Sequence, residues 1–174
     1  PRADKPYRLD LAFRPAGAPL LPVREKAAAI DETMPPPPET FKAVDCTSQE
    51  PGNEGGKVCD GDLGTFWHSQ YGVTLGKYPH AVTLDLNKAR TLKGIVCVGR
   101  QEGVNGRIRD YRVEVSPDNK TWAVAAEGRL QDSAAPQEVR FAKPAQGVRY
   151  LRFTGLSEQR GQEFASMAEI SIIE

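Results

Sequence analysis

A chain of 174 residues can bury one good hydrophobic core and is too short for two full-sized domains, so one domain plus an extension is expected. Its 23 lysines and arginines are balanced by 23 aspartates and glutamates; no basic field exists to draw in a phosphate backbone or an anionic membrane, and no nucleic-acid partner is expected. Sixteen glycines and fourteen prolines, with many short β-branched runs and no long apolar helical stripe, exclude helical bundles and Rossmann-type folds in favour of a turn-rich β protein.

Tyr7, Leu9, Leu11 and Phe13 alternate with polar or small residues and read as one strand without an obvious partner. Arg24 to Met34 tolerates helix, and Pro35 to Pro38 must be extended because each ring fixes φ and removes a donor. Residues 1–34 therefore read as an N-terminal extension or the remnant of an upstream domain, residues 35–40 as a stiff Pro-rich linker, and residues 41–174 as the main module. No apolar run approaches the roughly 18 residues of a bilayer span. A start at Pro1 without methionine suggests a mature or excised fragment whose targeting signal lies outside it.

From Phe41 onward the pattern is regular. Val82, Leu84 and Leu86 alternate with Thr83, Asp85 and Asn87, and Tyr111, Val113 and Val115 alternate with Arg112, Glu114 and Ser116, as half-buried strands should. Gly94 to Val98 is apolar on both faces and suits a central strand. Turn signals at Ser116 to Lys120, Gly128 and Gly147 separate the runs, and Val148 to Phe153 and Ile170 to Ile173 close the series. The fold class is all-β, a β-sandwich of about eight antiparallel strands whose end loops are free to carry a site. Trp67 and Trp122 are assigned to its core. The three cysteines, Cys46, Cys59 and Cys97, are too few for a disulfide framework and read as buried thiols, a Cys46 to Cys59 bridge being the minor alternative.

Lys57 to Trp67 places Asp60, Asp62 and Thr65 around two glycines, so several hard oxygens can fold inward as a calcium ion requires. An Asp-Gly-Asp turn can equally be only an Asx turn, and it lacks the downstream glutamate of an EF-hand. His68, Tyr71, Arg100 and Asn105 lie beside strand ends and combine a flat ring with directional donors and acceptors, the mixture a sugar needs. Phe164 could add a second platform at the same rim or join the core. Nothing in the order of residues suggests a nucleophile with its base, paired catalytic carboxylates, a Gly-x-Ser-x-Gly elbow or a phosphate loop, so intrinsic catalysis is not expected.

Ser48-Gln49-Glu50, Asp60-Gly61-Asp62 with Thr65 and Trp67-His68-Ser69, Tyr78-Pro79-His80, Leu84-Asp85-Leu86, Arg100-Gln101 with Asn105-Gly106-Arg107, Asp110-Tyr111 with Val115-Ser116, Trp122 and Ala168-Glu169-Ile170 follow one another in a distinctive order. Over residues 41–174 this set resembles coagulation-factor type C, or discoidin, domains, and is most similar to the family 32 carbohydrate-binding modules. The resemblance implies a galactose-binding-like jelly-roll. It also implies a structural calcium ion held by Asp60, Asp62, Thr65 and Glu169 with the carbonyls of Lys57 and Ala168. It assigns sugar contacts to His68, Tyr71, Arg100 and Asn105, with an acid from Glu54 or, second, Glu50. The partners it implies are a galactose-type or amino-sugar glycan and an upstream catalytic domain such as a glycoside hydrolase, in a secreted, periplasmic or cell-surface, monomeric setting. An adhesion domain binding protein or phospholipid is the alternative. The apparently polar, glycine-rich loops weigh against a membrane.

Overall fold

The computed structural model of the protein describes residues 41–174, and the expected N-terminal strand, extension and linker lie outside these residues. Eight strands follow in order: β1 (Lys42–Cys46), β2 (Trp67–His68), β3 (His80–Val98), β4 (Asp110–Ser116), β5 (Ala123–Arg129), β6 (Pro136–Gly155), β7 (Ser166–Met167) and β8 (Glu169–Ile173). A short 3-10 turn, Gly55–Cys59, links β1 to the loop before β2.

The two long strands build both layers. The first half of β3 pairs antiparallel with β1 and with the second half of β6, which continues through β4 to β5. The second half of β3 lies between β8 and the first half of β6. Irregularities between Asp85 and Gly94 separate the halves, and Asn87 takes a left-handed φ of 67° there. Such an interruption bends a strand and re-aims its side chains. Accordingly, the buried positions Val82, Leu84, Leu86 and Leu92 give way to Ile95 and Cys97, one residue out of phase.

Both layers feed one core. Leu84 opposes Leu151 and Val82 opposes Phe153 across β3 and β6, all buried, while Tyr111 stacks on Phe153 with ring centroids 5.9 Å apart. Val139, Phe141 and Ile170 join the same cluster from the other layer. Trp67 is completely buried, and its indole N–H donates to the Ser48 carbonyl at 2.9 Å, satisfying the one polar atom that burial would strand. Trp122 departs from the sequence expectation. It is only half-buried, and Arg152 lies over its ring at 3.9 Å, because the turn before β5 leaves it on the outer face, where a guanidinium covers it. All three cysteines are free, Cys59 and Cys97 buried and Cys46 half-buried.

Candidate functional site

A minor two-stranded sheet forms the base of one depression. β2 pairs with β7, Trp67 opposite Met167 and His68 opposite Ser166, and Ser166 bridges in turn to Arg107. Three distant segments thus lie side by side. Because successive strand residues face opposite sides, Trp67 enters the core while Phe66 and His68 turn away from it.

The depression has a volume of about 260 Å³ and is lined by Phe66, His68, Tyr71, Arg100, Asn105 and Phe164. Of the sugar-contact residues named from the sequence, His68, Tyr71, Arg100, Asn105 and Phe164 are therefore brought together, and Glu54 is not. Glu54 accepts from its neighbour Gly52 N–H at 2.7 Å and lines a separate depression beside β1. The acid beside the ring is Glu50, whose carboxylate accepts from the Tyr71 and Gly72 N–H groups at 2.7 and 2.9 Å. A Cβ on residue 72 would stand 2.5 Å from that carboxylate, so any larger residue there would push the Glu50 side chain aside. The sequence reading passes over Phe66, although strand alternation places it on the same side as His68.

The rings form an edge-on cluster. Tyr71 meets His68 at 4.8 Å and Phe164 at 6.3 Å, nearly perpendicular to both, and remains 52% exposed, which leaves its surface available. The Arg100 guanidinium lies over the Phe66 ring at 4.0 Å, and its Nε and Nη1 donate to the carbonyls of Glu102 and Asn105 at 2.6 and 3.4 Å. Burial lowers its pKa from the ordinary value, although guanidinium stays charged in proteins. Asp110 is engaged by Ser157, Arg129 and Arg109 and does not pair with Arg100.

The loops are tied to one another through main-chain atoms. Gly106 O accepts from Ser166 N–H at 2.7 Å, the Ser166 hydroxyl donates to Asn105 O at 2.8 Å, and Ser69 exchanges two bonds with Ala165. Gly106 has φ of 78°, and a Cβ there would lie 2.9 Å from the β7 backbone, so both conformation and space demand glycine. Phe164 is positioned by the Tyr78 hydroxyl, which donates to its carbonyl, and by the His80 ring nitrogen 2.8 Å from Glu163 O.

His68 is buried, and its Nδ1 lies 2.7 Å from the Ser69 carbonyl. A carbonyl only accepts, so Nδ1 carries the proton and Nε2 is left as an acceptor. Burial lowers the ring's pKa below 6.5, the Ser69 carbonyl opposes this, and the Arg100 charge adds to it. The unfolded chain then takes up protons first, so stability is complete above about pH 6.5 and declines as pH falls below it. Melting curves of the parent and of His68→Gln from pH 8 to pH 5 are expected to differ in slope, the parent losing more or gaining less stability toward pH 5; an equal slope in the variant would contradict this assignment.

On the far side of β2, the Asp60 to Thr65 loop forms the Asx turn foreseen as one reading of it. Asp60 Oδ1 accepts from Asp62 N–H at 3.0 Å, an Asx turn, while Asp60 Oδ2 accepts from the Thr65 hydroxyl at 2.7 Å. Glu169 reaches it from β8, its Oε2 accepting from Gly61 N–H at 3.2 Å. Burial and then the Asp60 charge push the Glu169 carboxyl up to about 7, with the Gly61 N–H opposing. Asp62 is turned to Gly64 N–H at 2.8 Å, and Lys57 places its ammonium 3.7 Å from Asp60. Among the described residues no three histidine, cysteine or acidic side chains already stand as a metal cluster.

The neighbouring loop is less polar than its composition implied. Val73 and Leu75 are 83% and 53% exposed.

Comparison with known proteins agrees with this architecture. Residues 43–170 match the model of the F5/8 type C domain. A sialidase of Micromonospora viridifaciens is 37% identical over 134 residues, covering 74% of this chain and 20% of the relative, so the chain spans about a fifth of that protein. The family 32 module of Clostridium perfringens NanJ, solved with galactose, superposes with a TM-score of 0.68 at 26% identity, over 76% of this chain and 92% of the module. Another family 32 module from Clostridium perfringens, solved with GalNAc-β-1,3-galactose, gives 0.69 at 28% identity, over 77% and 95%. With the fold, the loop order and the family model in agreement, the chain belongs to the F5/8 type C domain family, among neighbours that are family 32 carbohydrate-binding modules.

Proposed function

We propose that residues 41–174 are a non-catalytic carbohydrate-binding module that holds an attached glycan-active enzyme, such as a glycoside hydrolase, on galactose-type or amino-sugar glycans outside the cell. The observation that carries this is the six-residue depression: an available Tyr71 ring with Phe164 beside it, next to Arg100, Asn105 and the acceptor nitrogen of His68. The apolar C–H face of a sugar lies on the ring while its hydroxyls meet the polar groups. The galactose and GalNAc-β-1,3-galactose complexes of the neighbours support the sugar class, and the sialidase relative supports attachment to an enzyme. Held on its substrate this way, an enzyme gains through effective concentration rather than tight single-site affinity.

The reading includes a structural calcium ion. Asp60, Asp62, Thr65 and Glu169 are hard oxygen donors, and the half-buried Glu169 beside Asp60 is the kind of carboxylate pair a cation relieves. The Lys57 and Ala168 carbonyls would complete the set, and the ion would bind the loop to the last strand without taking part in chemistry.

A glycan array followed by titration calorimetry tests the module, with binding expected at millimolar to micromolar dissociation constants for galactose-type ligands. Vesicles form a second arm, since exposed Val73 and Leu75 beside Lys77 favour the phospholipid alternative. A blank array with strong vesicle binding would replace the sugar reading by that one.

A further inference from the structure

The connection between β6 and β7, residues 156–165, brings Phe164 to the depression without any strand or helix of its own. Its first part is sewn to a neighbouring segment. Arg109 N–H donates to Ser157 O at 2.8 Å, Gln159 N–H to Arg107 O at 3.0 Å, and Ile108 bridges to Glu158. Its last part is held by Tyr78, whose hydroxyl donates to the Phe164 carbonyl and whose N–H donates to the Glu163 carboxylate at 3.3 Å. Burial, then the charges of Glu158 and Glu163, raise the Tyr78 pKa, so the hydroxyl stays a donor. Between these anchors Arg160, Gly161 and Gln162 are exposed, and Gly161 has a left-handed φ of 75°.

Glu158 closes that gap from beneath. It is 1% exposed, and its Oε2 accepts from the Arg160 and Gln162 N–H groups at 2.5 and 3.1 Å, while its carbonyl accepts from Gly161 N–H at 3.3 Å. The whole turn is therefore folded around one acid. Its other oxygen, Oε1, is buried without a hydrogen-bond partner among the described residues. A buried carboxylate with a bare oxygen is a poor source of stability, and an apolar side chain of similar size does as well or better. What the acid supplies is shape, because the N–H groups of the exposed Arg160 and Gln162 would otherwise turn to water. The Arg160 side chain also meets Asp132 at 2.8 Å, but both partners are exposed, and such a pair holds a turn weakly.

Resting on the carbohydrate reading above, we propose that Glu158 is a positioning residue for sugar binding: its Oε2 holds the 158–162 turn so that Phe164 stands at the wall of the depression. Glu158 does not itself line the depression, and it acts through the ring. A site of this kind depends on the groups that lock its walls as much as on the walls themselves.

The full chain is titrated with methyl β-galactoside by NMR. Glu158→Met keeps the buried volume and removes both acceptors, so it should melt within about 4 °C of the parent. It should nevertheless bind about fivefold more weakly, the loss of part of one aromatic contact. Glu158→Gln retains an oxygen for the two N–H groups and should bind within about twofold of the parent. Phe164→Ala should cost about as much as Glu158→Met, and the two together little more than either alone, because one acts through the other. If Glu158→Met does not fold, Gly161→Val takes its place: nothing lies within 4 Å of a Cβ there, so it strains the left-handed turn without a clash, and the same loss is expected. Affinity unchanged in the turn variant, losses that add to that of Phe164→Ala, or a Glu158→Gln as weak as Glu158→Met would each overturn the inference while the carbohydrate reading stands. If the parent binds no galactoside, both fall together.

Discussion

Tyr71→Ala is expected to weaken sugar binding about ten- to thirtyfold while leaving the melting temperature within about 2 °C of the parent. The ring is half exposed and touches its neighbours only edge-on, so removing it leaves no core cavity. Its exposed surface is the platform on which a sugar would lose contact with water. Losing that burial costs about 1.5–2 kcal/mol, or about ten- to thirtyfold in affinity, which takes a millimolar site below detection. Calorimetry and thermal melting on the same preparation check both halves. Unchanged affinity in Tyr71→Ala would move the ligand elsewhere on the molecule.

The second large effect concerns the cation. Adding calcium to chelator-treated protein is expected to raise the melting temperature by about 10 °C, since a ligand at a hundred times its dissociation constant contributes about 2.7 kcal/mol. The size follows from what would be joined: Asp60 and Thr65 in a turn before β2, and Glu169 at the start of β8, more than a hundred residues later. Restraining so long a closure removes considerable freedom from the unfolded chain. Asp60→Asn and Glu169→Gln should each suppress the calcium response. A melting curve indifferent to both calcium and chelator would eliminate the ion from the account.

Much of this was legible because it depended on local periodicity. The alternation through Val82 to Leu86 and Tyr111 to Val115 fixed which side chains enter the core, and the structure buries them accordingly. His68, Tyr71, Arg100, Asn105 and Phe164 could be grouped from the order of motifs alone, and they line one depression. Glu54 could not be placed, because which of two acids meets the ring depends on main-chain captures. Gly52 N–H takes Glu54, whereas the Tyr71 and Gly72 N–H groups take Glu50. Trp122 illustrates the opposite failure. Size argued for burial, but a turn determined its direction and Arg152 covered it. The exposure of Val73 and Leu75 was invisible for a similar reason, since composition does not say how far a loop projects.

On the carbohydrate reading, the main-chain seam among Ser69, Asn105, Gly106, Ala165 and Ser166 makes ligand recognition a property of the completed chain. No excised peptide carries all the contacts, and a break at any stitch would blind the protein to its ligand while most of its ladders survived. A sugar titration would therefore report damage that a circular-dichroism spectrum misses, and could serve as the stricter gauge of correct assembly.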